Sequence, residues 1–216
     1  MGDFLKIAVL VENHPYEVME FQHMLDSFSD CKCYVQPVDL FVQDDNRSKY
    51  DTVLWYNINW DPPKEDGVLR KYLESEPGAT AQGIVLIHHA LLNFQNWDLY
   101  TNICGLKERG AGVGFKYTQN ETVKEHILDA NHPITAGISD FSLIDETYNI
   151  GEPEEPGNHL LISTDNKTSM KNLAWTRQYK NSRVFAYASG HDNKVYADEN
   201  YRKIVHRALR WTAGRI

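Results

Sequence analysis

Two adjacent histidines, His88 and His89, follow directly on the apolar run Ile84-Val85-Leu86-Ile87, and a third, His191, follows Ser189-Gly190 after another apolar run. Imidazole is the side chain that titrates near neutral pH, so such residues can move protons or offer a lone pair to a metal. The neighbouring carboxylates Asp145 and Glu146 supply the acidic partner that either task needs. A set of His89, Glu146 and His191 suits general acid–base work, with His88 as the alternative at the paired position. The same His89, Glu146 and His191 would suit a divalent metal, although their spacing matches no zinc signature such as HExxH. No cofactor other than such a metal is implied. Around them, His14, Asn57, Asn59, Trp60, Asp145 and Trp175 are candidates for binding a substrate, the asparagines through hydrogen bonds and the tryptophans through their ring faces.

These groups can work together only if the chain positions them at one place. Ile84 to Ile87 has no polar alternation, the pattern of a strand covered on both faces, as in a parallel sheet with helices above and below. In open α/β sheets ligands bind outside the carboxyl ends of the strands, where His88 and His89 then sit. A strand, sharp turn and helix also build the elbow that exposes one side chain at the top of a sheet. Successive side chains of a strand point to opposite faces, so one of the pair faces the cleft more readily, and His89 is favoured as the one on the elbow side. Glu12-Asn13-His14, Asn57-Ile58-Asn59-Trp60 and Gly190-His191 end three further strands. Taken alone, His14, His126, His159 and His206 read as structural or solvent-facing, and His14 gains a binding role only through its place at a strand end.

The remaining elements fit an α/β chain. Strands are predicted over 4–11, 33–38, 51–56 and 83–87, with a helix running to about residue 28 on the stripe Val18, Phe21, Leu25 and Phe28. A polar loop is expected over 43–49, and a helix carrying Val68, Leu69, Tyr72 and Leu73 after the prolines at 62 and 63. A further helix is expected over 91–104, stopped by Gly105 as a left-handed cap. Beyond residue 110 short strand-like runs appear at 115–118, 122–128, 142–150 and 160–163, then a hairpin over 172–177 and 183–189, several of them antiparallel. The last helix covers 198–212.

At 216 residues with 42% apolar content the chain reads as a single domain, 1–216, with no repeat or linker. The net charge of -8 argues against a nucleic-acid or anionic-membrane partner. Three cysteines, Cys31, Cys33 and Cys104, suit a reducing compartment, and no segment reaches the length of a membrane span, so a cytoplasmic location is expected. The sequence admits a homo-oligomer.

Five segments in order, Gly83-Ile84-Val85-Leu86-Ile87-His88-His89-Ala90, His132-Pro133-Ile134-Thr135-Ala136-Gly137-Ile138, Asp145-Glu146-Thr147-Tyr148, Ala174-Trp175-Thr176-Arg177 and the stretch from Arg183 to His191, together resemble the ThuA-like, or trehalose-utilisation, family. The resemblance covers nearly the whole chain. It implies the class I glutamine amidotransferase-like fold, a flavodoxin-like three-layer α/β/α sandwich, with a mostly parallel central sheet and added antiparallel strands in the C-terminal half. It also implies a part in carbohydrate utilisation, with a sugar or keto-sugar as the small-molecule partner. In amidotransferases the elbow carries a cysteine, whereas here it carries His88-His89, and Cys104 lies on the following helix, so glutaminase activity is not expected. A non-catalytic sugar-binding module and a metal-dependent hydrolase are the alternatives to acid–base chemistry by His89 and His191.

Overall fold

The computed structural model describes residues 4–110 and 114–216. Long apolar runs produce a nine-stranded sheet in the order β2-β1-β3-β4-β9-β8-β7-β5-β6. Its parallel half comprises β1 (Leu5–Glu12), β2 (Cys31–Gln36), β3 (Thr52–Asn57), β4 (Gly83–Ile87) and β9 (Ser182–Tyr187). β3 and β4 are buried at every position, as strands with unbroken apolar centres between two helical layers should be. The other half is antiparallel: β8 (Asn172–Tyr179), β7 (His159–Ser163), β5 (Lys116–Ile127) and β6 (Phe141–Asn149).

Helices α1 (Val18–Asp26), α2 (Val38–Gln43), α3 (Val68–Ser75), α4 (Asp98–Cys104), α5 (Asn193–Tyr196) and α6 (Glu199–Thr212) complete the outer layers. The chain steps left from β1 to β2 and then right from β2 to β3, so right-handed crossovers put α1 and α2 on opposite faces. The packing agrees, since α1 and α6 both meet α5, while α2 meets α3. The side chain of Asp198 caps α6 by accepting from the backbone N–H groups of Asn200 and Tyr201, and Tyr201, Ile204, Val205, Ala208 and Leu209 form the buried stripe below.

Three expectations need correction. The second strand ends at Gln36, and Val38 to Gln43 form α2 in place of strand end and loop, because Val38, Phe41 and Val42 recur at helical spacing and are all buried. The helix expected over 91–104 is a 3-10 turn, His88–Leu92, followed by the separate α4. Phe94 and Asn96 take positive φ between them, and the break is held by Phe94 N–H and Gln95 N–H donating to the carbonyls of Asn59 and Trp60. The buried Arg109 guanidinium fixes the same loop by donating to the carbonyls of Asn93, Phe94 and Leu106. The two runs at 115–118 and 122–128 are one strand, β5, interrupted by a register shift between Thr118 and Glu121.

β5 pairs with β7 only at His126 and Ile127, and its longer part pairs with β6. This β5–β6 ribbon folds back over the carboxyl ends of β4 and β9. Its carboxylates bond to the residues that follow those ends, as described next.

Candidate functional site

The strand order changes direction between β1 and β3, the place where doubly wound sheets open a crevice. There a cavity of about 490 Å³ is lined by groups from six separate parts of the chain, His14, His89, Glu146, Tyr148 and His191 among them. Trp60, Phe115 and Tyr117 give it aromatic walls.

His88 follows β4 with a φ of 53°, the left-handed region that a non-glycine residue enters only at a cost of about 1 kcal/mol. That turn drives the chain off the strand and aims the two rings at different partners, at 83° to each other with centroids 5.5 Å apart. The His88 ring is fully buried, with Nδ1 2.7 Å from the carbonyl of Ala188 and Nε2 2.7 Å from the Tyr148 hydroxyl. A carbonyl can only accept, so Nδ1 carries a hydrogen. The His89 ring turns the other way and stacks on His14 at 4.1 Å, with Tyr56 behind it at 4.4 Å. Neither ring nitrogen of His89 has a hydrogen-bond partner among the described residues. Burial, then the neighbouring His88 and His14, holds its pKa well below the usual imidazole value, so it is neutral at physiological pH. His14 is lowered for the same first reason, burial, with His88 and His191 adding to it.

His191 is carried by the loop after β9, which is held on both sides. The buried Asp145 carboxylate accepts from the backbone N–H groups of Gly190 and His191 at 2.8 and 3.0 Å. Burial raises the Asp145 pKa despite His88 and those two N–H groups. The Tyr56 hydroxyl donates to the carbonyls of Gly190 and His191 and also bonds the Tyr196 hydroxyl. Gly190 has a φ of 130°, and a Cβ there would stand 2.3 Å from the Tyr201 hydroxyl. Just before it, Ser189 and Tyr187 donate hydroxyl hydrogen bonds to the fully buried Glu125 of β5, whose pKa burial pushes up to about 8. Two buried carboxyl groups of the ribbon thus fix the segment that presents His191.

Glu146 and Tyr148 lie two residues apart on β6 and so share a face. Glu146 Oε1 is 3.5 Å from His88 Nε2, and Oε2 is 3.6 Å from His191 Nε2. The Gln119 amide donates to Oε2 at 3.2 Å. Burial works against ionisation of Glu146, but His88, His191 and Gln119 hold its pKa below the ordinary value. His88, Glu146 and His191 place ligand atoms within 4.8 Å of one another, a set able to hold a cation, and His89 lies outside it.

Of the candidates read from the sequence, His14, Trp60, His89, Glu146 and His191 border the cavity and His88 stands behind it. Asp145 is a support of the His191 loop. Asn59 lines the neighbouring groove that Trp60 separates from the cavity, and it accepts from Asn13 at 2.6 Å. Asn57 is fully buried and accepts from Asn93. Trp175 does not reach the cavity, because it is buried on β8 with its indole N–H donated to the Cys104 carbonyl at 2.8 Å. His126, His159 and His206 pair with Asp140, Asp129 and Asp30 away from the site. Gln119, Tyr148, Phe115 and Tyr117 were not among the candidates. Only Tyr148 carried a signal, its two-residue spacing from Glu146.

No curated protein matches the chain. The fold is similar to that of a ThuA-like protein from Parabacteroides merdae, at 18% identity and a TM-score of 0.77 over 99% of this chain and 92% of that one. A ThuA-like protein from Bacteroides uniformis is similar at 18% identity and a TM-score of 0.70, over 96% and 91% of the two chains. A GMP synthase subunit from Thermoplasma acidophilum shares the fold at 12% identity and a TM-score of 0.59, over 99% and 96%. The nine-stranded α/β sheet with helices on both faces is thus an amidotransferase-like one. The model of the trehalose-utilisation family matches residues 13–212, and with the motifs at 83–90, 145–148 and 183–191 all placed around one cavity, the chain belongs to the ThuA family.

Proposed function

We propose that the cavity binds a sugar or keto-sugar and that His89 and His191 act on it by acid–base chemistry. The observation that carries this reading is the meeting of three imidazoles and one ionised carboxylate in a cavity of about 490 Å³ with aromatic walls. That volume falls in the range of small-molecule sites, roughly 300–1,000 Å³. A sugar offers apolar ring faces and hydroxyls, which suit Trp60 and Phe115 on one hand and His14, Gln119 and Tyr148 on the other. The family's description, trehalose utilisation, points to the same ligand class.

The two imidazoles divide the work. His89, kept neutral, has a free lone pair and takes the proton, while His191, 3.6 Å from the Glu146 carboxylate, is the partner that returns it. Acyl transfer from glutamine has no nucleophile here. Cys104 is fully buried at the end of α4, and burial raises its pKa, which disfavours the thiolate.

The test is titration of the protein with a panel of sugars and their oxidised, keto forms by calorimetry, with product analysis after long incubation. His191→Ala, on a half-buried loop position, is expected to abolish turnover with little change in melting temperature, and His89→Ala to abolish it as well. Full activity in both variants sinks the assignment. Binding without any conversion by the wild type makes the chain a non-catalytic sugar-binding module.

A further inference from the structure

We infer that His88, Glu146 and His191 form a three-ligand site for a divalent ion of the zinc type, with its fourth position open to the cavity. The inference stands independently of the sugar reading, since it rests on the separations and on the hydrogen-bond pattern of one imidazole.

The separations come first. An N–H group bonding a carboxylate well sits 2.7–3.2 Å from it. Glu146 stands beyond that range from both imidazoles, at 3.5 Å and 3.6 Å, although all three side chains are wholly or largely buried. Ligands arranged tetrahedrally round an ion at about 2.1 Å are about 3.4 Å apart. The observed distances match ligands of a shared ion better than members of an ion pair. A second cluster on the molecule shows the contrast. At Asp30, Cys31 and His206 the imidazole and carboxylate are 2.5 Å apart and Arg210 completes the pair, so that cluster is already satisfied.

The His88 ring is the second observation. Its Nδ1–H is spent on the Ala188 carbonyl at 2.7 Å, and that directs Nε2 at Glu146 and His191. Metal-bound histidines are held in the same way, by a carbonyl or carboxylate on the far nitrogen that fixes the tautomer. The Tyr148 hydroxyl, 2.7 Å from Nε2, is the group that an incoming cation displaces. Glu146 and His191 both border the cavity, which leaves the open position facing it. Three protein ligands of the His₂Glu kind with one open position are the arrangement of catalytic zinc sites, in which the ion polarises a ligand oxygen. If the sugar reading holds, that oxygen is a carbonyl or hydroxyl of the sugar, and with the ion bound the ion would take the acid's part in place of His191, whose Nε2 lone pair is then spent on the metal.

The experiment is metal analysis of the full chain purified without chelator, followed by titration of chelator-treated protein with Zn²⁺ and with Co²⁺, whose visible absorption reports tetrahedral nitrogen and oxygen ligands. A single ion per chain at micromolar metal is expected. Glu146→Gln and His191→Ala should each weaken it roughly tenfold or more. Tyr148→Phe should tighten it, and His89→Ala should leave the stoichiometry unchanged. Glu146→Gln is nearly isosteric and His191 lies on a half-buried loop, so the test survives if a His88 variant does not fold. Absence of stoichiometric binding in the wild type, equal affinity in His191→Ala, or loss of the ion in His89→Ala would overturn the inference. Calorimetry of the metal-free protein with sugars is scored separately, so failure of the metal site and failure of the sugar reading are told apart.

Discussion

Glu125→Gln exposes how the His191 loop is held. The Glu125 carboxyl is fully buried between the Tyr187 and Ser189 hydroxyls, and desolvation lifts its pKa from the ordinary 4.5 to about 8. The folded value exceeds the unfolded one, so its contribution is fully present below about pH 4.5 and is lost as pH rises through about 8. In that window the unfolded chain releases the proton and the folded chain keeps it. Stability therefore falls by about 1.4 kcal/mol per pH unit, or about 5 kcal/mol in all. Domains are stable by only about 5–15 kcal/mol, so the loss is large. Glutamine keeps the shape and an acceptor oxygen but cannot ionise. Near pH 5 the variant should lie within about 2 kcal/mol of the wild type. Near pH 9 it should be the more stable by several kcal/mol, which is about the span just derived. Urea unfolding followed by tryptophan fluorescence at stepped pH measures the difference and cancels every other titrating group. A wild-type minus variant difference that stays flat within about 1 kcal/mol between those pH values refutes the reasoning.

Two further outcomes follow from the same region. Gly190→Ala forces a Cβ to within 2.3 Å of the buried Tyr201 hydroxyl at a φ of 130°, and should cost about 2 kcal/mol or more and displace His191; adding Tyr201→Phe, which removes a hydroxyl without a partner among the described residues, should restore part of the loss in melting temperature. His89→Phe replaces an imidazole with two unpartnered nitrogens by a ring that can stack on His14, and should raise stability by about 1–2 kcal/mol while abolishing function. The His89 pKa is depressed on folding, so the wild type loses stability as pH falls below about 6.5, and thermal unfolding of His89→Phe should show a shallower loss over that range.

The parallel half of the fold is legible because Ile84 to Ile87 and Val53 to Tyr56 are unbroken apolar runs, and a strand buried on both faces leaves no other reading. The polar residues that end those strands then mark the site. What the sequence hides is the consequence of the ribbon folding back. Gln119, Phe115 and Tyr117 lie at the start of the ribbon, before or at its register shift between Thr118 and Glu121, and no local pattern reports that this end reaches the cavity. Trp175 misleads for a related reason. An indole suits a sugar face and a core equally, and here β8 runs inside the sheet, where the N–H finds the Cys104 carbonyl. α2 is missed because its six residues show the helical spacing of Val38, Phe41 and Val42 barely once, and the exposed Leu40 blurs that pattern.

The divergence of the His88 and His89 rings sets a rule for how this chain can vary in length. One ring serves the ribbon, through Tyr148 and Glu146, and the next serves the β1 side, through His14. Removing or adding one residue in β4 would exchange the two directions and strip both partners at once, even with every histidine retained. Insertions should therefore be tolerated at the exposed 43–49 connection and eliminated between Gly83 and His89, a pattern that a scan of single-residue indels would read directly.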